Sequence, residues 1–243
     1  MNKTANYQFT IAVPVYNEQE SLAALEKSLA GFLPNCIMKA CVLIINDCSS
    51  DGSLQIIKEI CARHADFFYV SHPQRLGLSG ALKTAFDNTE SEFVGYIDAD
   101  LQTVPEDFNQ LLPFTADYPL VTGVRASRND SLGKRIQSRI GNGWRRMMTG
   151  DGARDTGCPL KVLRTSAARQ LPMFNGMHRF IPALILLQDG GRYKEVPVNH
   201  RGRTAGKSKF NMFNRLRGFT DCFVYRWMRR NWIVKERGEN NLQ

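Results

Sequence analysis

The sequence predicts an α/β protein built on a doubly wound, Rossmann-like, mostly parallel sheet with flanking helices. Short apolar runs alternate with segments of helical period through the first 120 residues, and polar clusters follow the apolar runs. There is no internal repeat and no low-complexity linker.

Phe9–Val13 reads as a strand ended by Pro14, and Ser21 opens a helix with Leu22, Leu25, Leu29 and Phe32 at three-to-four spacing. Cys41–Ile45 is a buried-type strand, followed by the turn-rich run Asn46-Asp47-Cys48-Ser49-Ser50-Asp51-Gly52. Ser53 is expected to cap the next helix, whose inner face carries Ile56, Ile57 and Ile60. Phe67–Val70, Gly80–Phe86 and Phe93–Asp98 complete the series as strand, helix and strand. Connections of this length imply right-handed parallel crossovers. After Thr122 the pattern loosens into a basic, helical region holding Arg125, Arg128, Lys134, Arg135, Arg139, Arg145 and Arg146. A Gly/Asp-rich loop spans Gly150–Gly157, and Phe180–Leu187 reads as a core helix too short to cross a bilayer. The expected division is one domain over 1–209 and a basic amphipathic segment over 210–243.

Charge is distributed unevenly. Residues 1–120 hold 7 Lys+Arg against 15 Asp+Glu, a net of −8, whereas 121–243 hold 25 against 8, a net of +17. An acidic half suits a metal and a basic half suits an anionic partner. Nucleic acid is not expected, because no helix-turn-helix, zinc-finger or RNA-recognition signature is present. The six cysteines form no CxxC pair, so free thiols in a reducing compartment are expected. Met1 to Phe9 is too polar for a secretory leader, which leads to an expected cytoplasmic location.

The run Phe93–Gln102 delivers two carboxylates and an amide to the end of an apolar stretch. On a strand, Asp98 and Asp100 would share a face, and oxygen ligands at that spacing suit Mg²⁺ or Mn²⁺ gripping a diphosphate. Taken alone, the pair also fits a solvated surface turn.

Four segments fall at strand ends: Val13-Pro14-Val15-Tyr16-Asn17-Glu18, Asn46 to Gly52, Asp98-Ala99-Asp100-Leu101-Gln102, and Arg203-Thr204-Ala205-Gly206-Lys207-Ser208-Lys209. In this order and spacing the chain resembles the family 2 inverting glycosyltransferases of the GT-A fold. The closer likeness is to their polyprenyl-phosphate branch, which includes dolichyl-phosphate mannose synthases. The resemblance covers roughly residues 8–215. It implies that Pro14, Tyr16 and Glu18 line the nucleoside pocket, that Asp47 accepts a hydrogen bond from the base, and that Asp51 orders the neighbouring loop. It places Asp98 by the ribose and metal, and Asp100 and Gln102 on the divalent cation. Arg203 and Lys209 would neutralise the leaving diphosphate, and Arg125 and Arg139 would hold the acceptor phosphate. A lipid phosphate is already ionised and needs no general base. Asp155 would be that base if the acceptor were a saccharide or lipid hydroxyl. Here Thr156-Gly157-Cys158-Pro159-Leu160-Lys161 replaces the Ser-Gly-Phe-Arg-like run that usually follows this aspartate. A third reading is a sugar-nucleotide-binding scaffold without catalysis.

In the tail, Met212, Leu216, Phe219, Phe223 and Trp227 recur at helical spacing among Arg215, Arg217, Arg226, Arg229, Arg230, Lys235 and Arg237. Such a helix either lies in a membrane interface or packs its stripe into a core. The expectation is peripheral attachment to the inner face of the plasma membrane, helped by a small membrane protein.

Overall fold

The computed structural model describes residues 3–125, 141, 143–199 and the helix 212–231, with side chains in that helix from residue 219. Its seven strands are β1 (Phe9–Val15), β2 (Ala40–Asn46), β3 (Phe67–Ser71), β4 (Phe93–Tyr96), β5 (Leu120–Arg125), β6 (Lys161–Arg164) and β7 (Tyr193–Val198). They form one sheet in the order β3-β2-β1-β4-β6-β5-β7. β6 runs antiparallel to both β4 and β5, and the other pairings are parallel. The sheet is therefore mostly parallel, as expected, with one reversed strand that the periodicity does not announce.

Alternation along β1 sorts the two layers. Phe9, Ile11, Val13 and Val15 face α1 (Leu22–Phe32), α2 (Ser53–Arg63) and α4 (Phe108–Leu111), joining Leu22, Leu25, Leu29, Ile57, Ile60 and Phe108 in one core. Ala12 points the other way, with Leu43 and Ile45, toward α3 (Gly77–Asn88). The same layer holds α6 (Thr165–Arg169), α7 (Ile181–Ile185) and α8 (Met212–Asn231), and α5, described over 143–149, packs beside it through Met148. Covering both faces explains why the central strands are apolar throughout.

Several expectations need correction. Arg125, expected in a helical region, ends strand β5. β4 stops at Tyr96 rather than Asp98; one further bond, Ile97 N–H to the Ala12 carbonyl at 3.1 Å, precedes a turn in which Leu101 adopts φ 56°. Asp98 and Asp100 therefore lie beyond the strand. Ser53 is the first residue of α2 and not its cap: its N–H is received by Asp51 Oδ1 at 3.0 Å. The Phe180–Leu187 helix is realised as a 3₁₀ turn, Met177–Phe180, running into the fully buried α7.

Candidate active site

Two loops at the C-terminal edge of the sheet are zipped together. After β1, Asn17 takes φ 52° and donates its N–H to Ser49 Oγ at 3.0 Å, while Ser50 N–H returns to Asn17 Oδ1 at 2.8 Å. Glu18 N–H reaches Ser53 Oγ at 3.0 Å, and Gln19 N–H reaches Asp51 Oδ2 at 3.3 Å. Asp51 thus orders both loops at once. Burial works against its charge, yet these donors hold its pKa below the usual carboxylate value.

Asp47, 3% exposed, directly follows β2 and builds the next wall. Oδ1 accepts from Leu76 N–H at 2.7 Å and lies 2.9 Å from His72 Nδ1; Oδ2 accepts from Gly77 N–H at 2.8 Å. Leu76 is the N-cap position and Gly77 the first residue of α3, so a side chain about thirty positions upstream caps that helix. This external cap explains why α3 begins three residues before the expected Gly80. It also holds the 73–77 loop, which puts the Arg75 guanidinium 3.9 Å from the centre of the Tyr16 ring.

These loops enclose a cleft of about 510 Å³ lined by Pro14, Tyr16, Glu18, Asp47, Asp98 and Asp100. All the expected nucleotide-binding residues are therefore together. Gln102 follows in the same turn and donates its N–H to Asp100 Oδ1 at 3.1 Å. Among the described residues no group of three or more His, Cys, Asp and Glu side chains is arranged to hold a metal. Asp98 and Asp100, which both line the cleft, supply hard oxygen donors of the kind that Mg²⁺ or Mn²⁺ takes together with diphosphate and water.

On the far side of the sheet's centre, Arg125 at the end of β5 forks onto Asp155. Nε lies 2.7 Å from Oδ2 and Nη2 lies 2.8 Å from Oδ1, with the Arg125 N–H adding a third bond at 3.3 Å. The two side chains are 12% and 10% exposed. Burial opposes the arginine's charge, but the Asp155 bond prevails and its pKa rises. Beneath them the ammonium of Lys161, 0% exposed, donates to the carbonyls of Thr156 and Cys158 and lies 5.4 Å from the centre of the Tyr96 ring. Burial pulls its pKa down. Arg139, Arg203 and Lys209 lie outside the described residues.

The sequence reading missed Arg75 to Gly77 and Asn175 to Arg179, most of which also line the cleft. For the first group a signal existed: residues 72–77 follow β3 as the other site segments follow their strands. For the second nothing local distinguishes the loop, which reaches the cleft through tertiary packing. A second hollow of about 630 Å³ beside β3 is lined by Lys58, Cys61, His64 and Phe68, with no carboxylate among its described lining residues.

The glycosyl transferase family 2 model matches residues 10–171. The chain belongs to that family. Two curated relatives from its lipid-phosphate side are similar over most of this chain. The undecaprenyl-phosphate 4-deoxy-4-formamido-L-arabinose transferase of Edwardsiella ictaluri is 31% identical over 206 residues, covering 84% of this chain and 63% of the relative. The dodecaprenyl-phosphate galacturonate synthase of Rhizobium johnstonii is 27% identical over 219 residues, covering 88% and 65%. The family 2 chain thus spans a little under two thirds of either. Among solved structures, glucosyl-3-phosphoglycerate synthase of Mycobacterium tuberculosis, with Mn²⁺ and UDP-glucose, superposes with a TM-score of 0.68 at 15% identity, covering 97% of this chain and 83% of the other. A mannosyltransferase of Pyrobaculum calidifontis, with GDP-mannose and Mn²⁺, gives 0.62 at 18%, covering 90% and 63%. At such identities the likeness establishes the GT-A fold.

Proposed function

We propose that this chain transfers a sugar from a UDP- or GDP-sugar to a polyprenyl phosphate at a membrane surface. The reading combines family membership with the lipid-phosphate acceptors named for the curated relatives, which the chain covers in part. The observation that carries it is the Arg125–Asp155 fork. Asp155 was the candidate base for a hydroxyl acceptor, and both its oxygens are engaged by a guanidinium. A carboxylate so held is a poor proton acceptor, whereas the oriented arginine suits a phosphate that is already ionised.

In the cleft, Tyr16 and Arg75 would flank the nucleoside. Asp98, Asp100 and Gln102 would hold Mg²⁺ or Mn²⁺, which when bound supplies positive charge to the diphosphate. Arg203 and Lys209 would add charge to the leaving group, and Arg125 with Arg139 would position the acceptor. Fixed cations around the diphosphate favour the negative charge that develops on it as the nucleoside diphosphate leaves the anomeric carbon and the acceptor phosphate oxygen bonds to that carbon.

The membrane part rests on α8. Among the described residues no helix is long and apolar enough to cross a bilayer. α8 instead buries Asp221, Cys222, Tyr225 and Met228 and leaves Phe219, Phe223, Val224 and Trp227 exposed. Within this stretch the aromatic stripe is not the packing face, which favours the interfacial alternative.

The test is release of nucleoside diphosphate by purified protein with Mg²⁺ or Mn²⁺, a panel of UDP- and GDP-sugars, and undecaprenyl phosphate in detergent. Lipid-dependent release that disappears in Asp100→Asn supports the proposal. Release that requires a hydroxyl acceptor and vanishes in Asp155→Asn overturns the acceptor assignment, and nucleotide binding without transfer to any acceptor favours the scaffold reading.

A further inference from the structure

The cleft contains a histidine to which neither the sequence nor the family comparison assigns a role. Ser79, in the first turn of α3, is 2% exposed. Its Oγ accepts two backbone N–H groups, from Gly176 and His178, each at 3.2 Å, and lies 2.9 Å from His178 Nδ1. Both backbone groups can act only as donors, so the single hydroxyl proton is directed at Nδ1. Nδ1 is then unprotonated, and the ring carries its proton on Nε2.

The surrounding backbone holds the ring in place. Gly176 takes φ 98°, and a Cβ there would lie 2.5 Å from Asp221 Oδ2 on α8. Arg179 reaches the same carboxylate at 3.5 Å, and Phe180 stacks on Tyr225 with centroids 5.7 Å apart and planes at 11°. The 176–180 segment is thus clamped between α3 and α8. His178 lines the cleft together with Asp98 and Asp100. Burial, reinforced by Arg179 and Lys161, pushes its pKa down to about 3, so the imidazole is neutral at working pH.

The geometry points to His178 as a neutral hydrogen-bond donor that presents Nε2–H to an oxygen of the bound glycosyl diphosphate, with Ser79 as the residue that sets its tautomer. The oxygen belongs to a phosphate or to a hydroxyl of the sugar; either accepts a neutral N–H. A neutral donor suits a site beside two carboxylates, because it neither competes for the cation nor pairs with them as an imidazolium would. The assignment rests on the proposed nucleotide-sugar reading of the cleft.

Two measurements test it. ¹⁵N spectra of histidine-labelled protein should show His178 with unprotonated Nδ1 and protonated Nε2 throughout about pH 5 to 8, and Ser79→Ala should shift both signals toward a tautomer mixture. Calorimetric titration with UDP and with the UDP-sugar, or their GDP counterparts, should show His178→Ala binding roughly ten- to a hundredfold more weakly, as loss of a hydrogen bond to a charged or buried acceptor predicts, with His178→Gln recovering part of it. Equal loss for both ligands identifies a phosphate oxygen; loss for the sugar nucleotide alone identifies a sugar hydroxyl. An Nδ1–H tautomer or a charged ring overturns the inference. So does wild-type affinity in a folded His178→Ala protein. If the wild type binds no nucleotide sugar, the proposed function fails as well, which separates the two failures.

Discussion

Arg125 and Asp155 form a bidentate pair, 2.7 and 2.8 Å long, between the end of β5 and the loop leading into β6. Lys161 ties that loop down from below through the carbonyls of Thr156 and Cys158. The aspartate thus acts on the arginine's orientation, and two consequences can be measured. Asp155→Asn should raise the acceptor KM about tenfold or more, the scale of one charge-assisted hydrogen bond, without shifting the pH profile of kcat. Arg125→Lys should do the same, since an ammonium cannot reproduce the fork. A general base would behave differently: kcat would collapse and its acid limb would disappear.

Gly95 in β4 is a packing requirement. A Cβ there would lie 2.8 Å from the Phe9 ring, 2.9 Å from the Phe108 ring and 2.9 Å from the Lys161 carbonyl oxygen. A ring can turn aside, but the carbonyl belongs to the neighbouring strand of the ladder and cannot. Gly95→Ala should therefore cost about 1–3 kcal/mol, the usual penalty of overpacking, read as a lower urea midpoint. An unchanged midpoint would mean that β4 and β6 separate freely.

How far the sequence revealed this arrangement depends on how local each cause is. β1, β2, α1 and α2 follow from runs such as Val42–Ile45 and from Leu22, Leu25 and Leu29, whose spacing alone sets their burial. The start of α3 is not legible locally, because its cap is Asp47, thirty residues away. β6 has four residues and runs opposite to its neighbours, so neither length nor period marks it. In the cleft, Pro14 lies near the end of β1, Tyr16, Glu18, Asp47, Asp98 and Asp100 follow their strands, and all were legible by position. His178 comes from a loop held by Ser79 and Asp221, which are far from it in sequence, and only tertiary packing places it.

Acid should weaken the fold through His178 before it does so through the carboxylates. Its folded pKa is about 3 against an ordinary 6.5. Between those values the unfolded chain binds a proton that the folded one refuses. The histidine's contribution is therefore complete above pH 6.5 and is lost progressively as pH falls toward 3. Glu26, lowered from 4.5 chiefly by its Arg63 bond, and Asp51, lowered from 3.8, begin to contribute only at lower pH. From about pH 6.5 to 4.5, His178→Asn should flatten the decline of the urea midpoint relative to wild type. Parallel curves would mean that the imidazole titrates normally in the folded protein.

The two faces of α8 should separate cleanly by mutation. Tyr225 is 2% exposed, stacks on Phe180 and donates its hydroxyl to the Ala183 carbonyl at 3.2 Å. Tyr225→Ala should cost about 3 kcal/mol or more, as large aromatic deletions do. On the opposite face Phe223 is 57% and Trp227 67% exposed, and Met147 of α5 adds an apolar side chain 68% exposed. Trp144 packs its ring 6.1 and 6.0 Å from Phe219 and Phe223, so α5 and α8 present one continuous aromatic surface. Arg226, Arg229 and Arg230 lie exposed along the same helix, which suits anionic headgroups. Phe223→Ser with Trp227→Ser should therefore leave the melting temperature unchanged while removing sedimentation with phosphatidylglycerol vesicles. The residual binding of the wild type should weaken with salt, since its electrostatic part is screened. If the double variant melts early and still sediments, the stripe is a packing surface and membrane contact lies elsewhere.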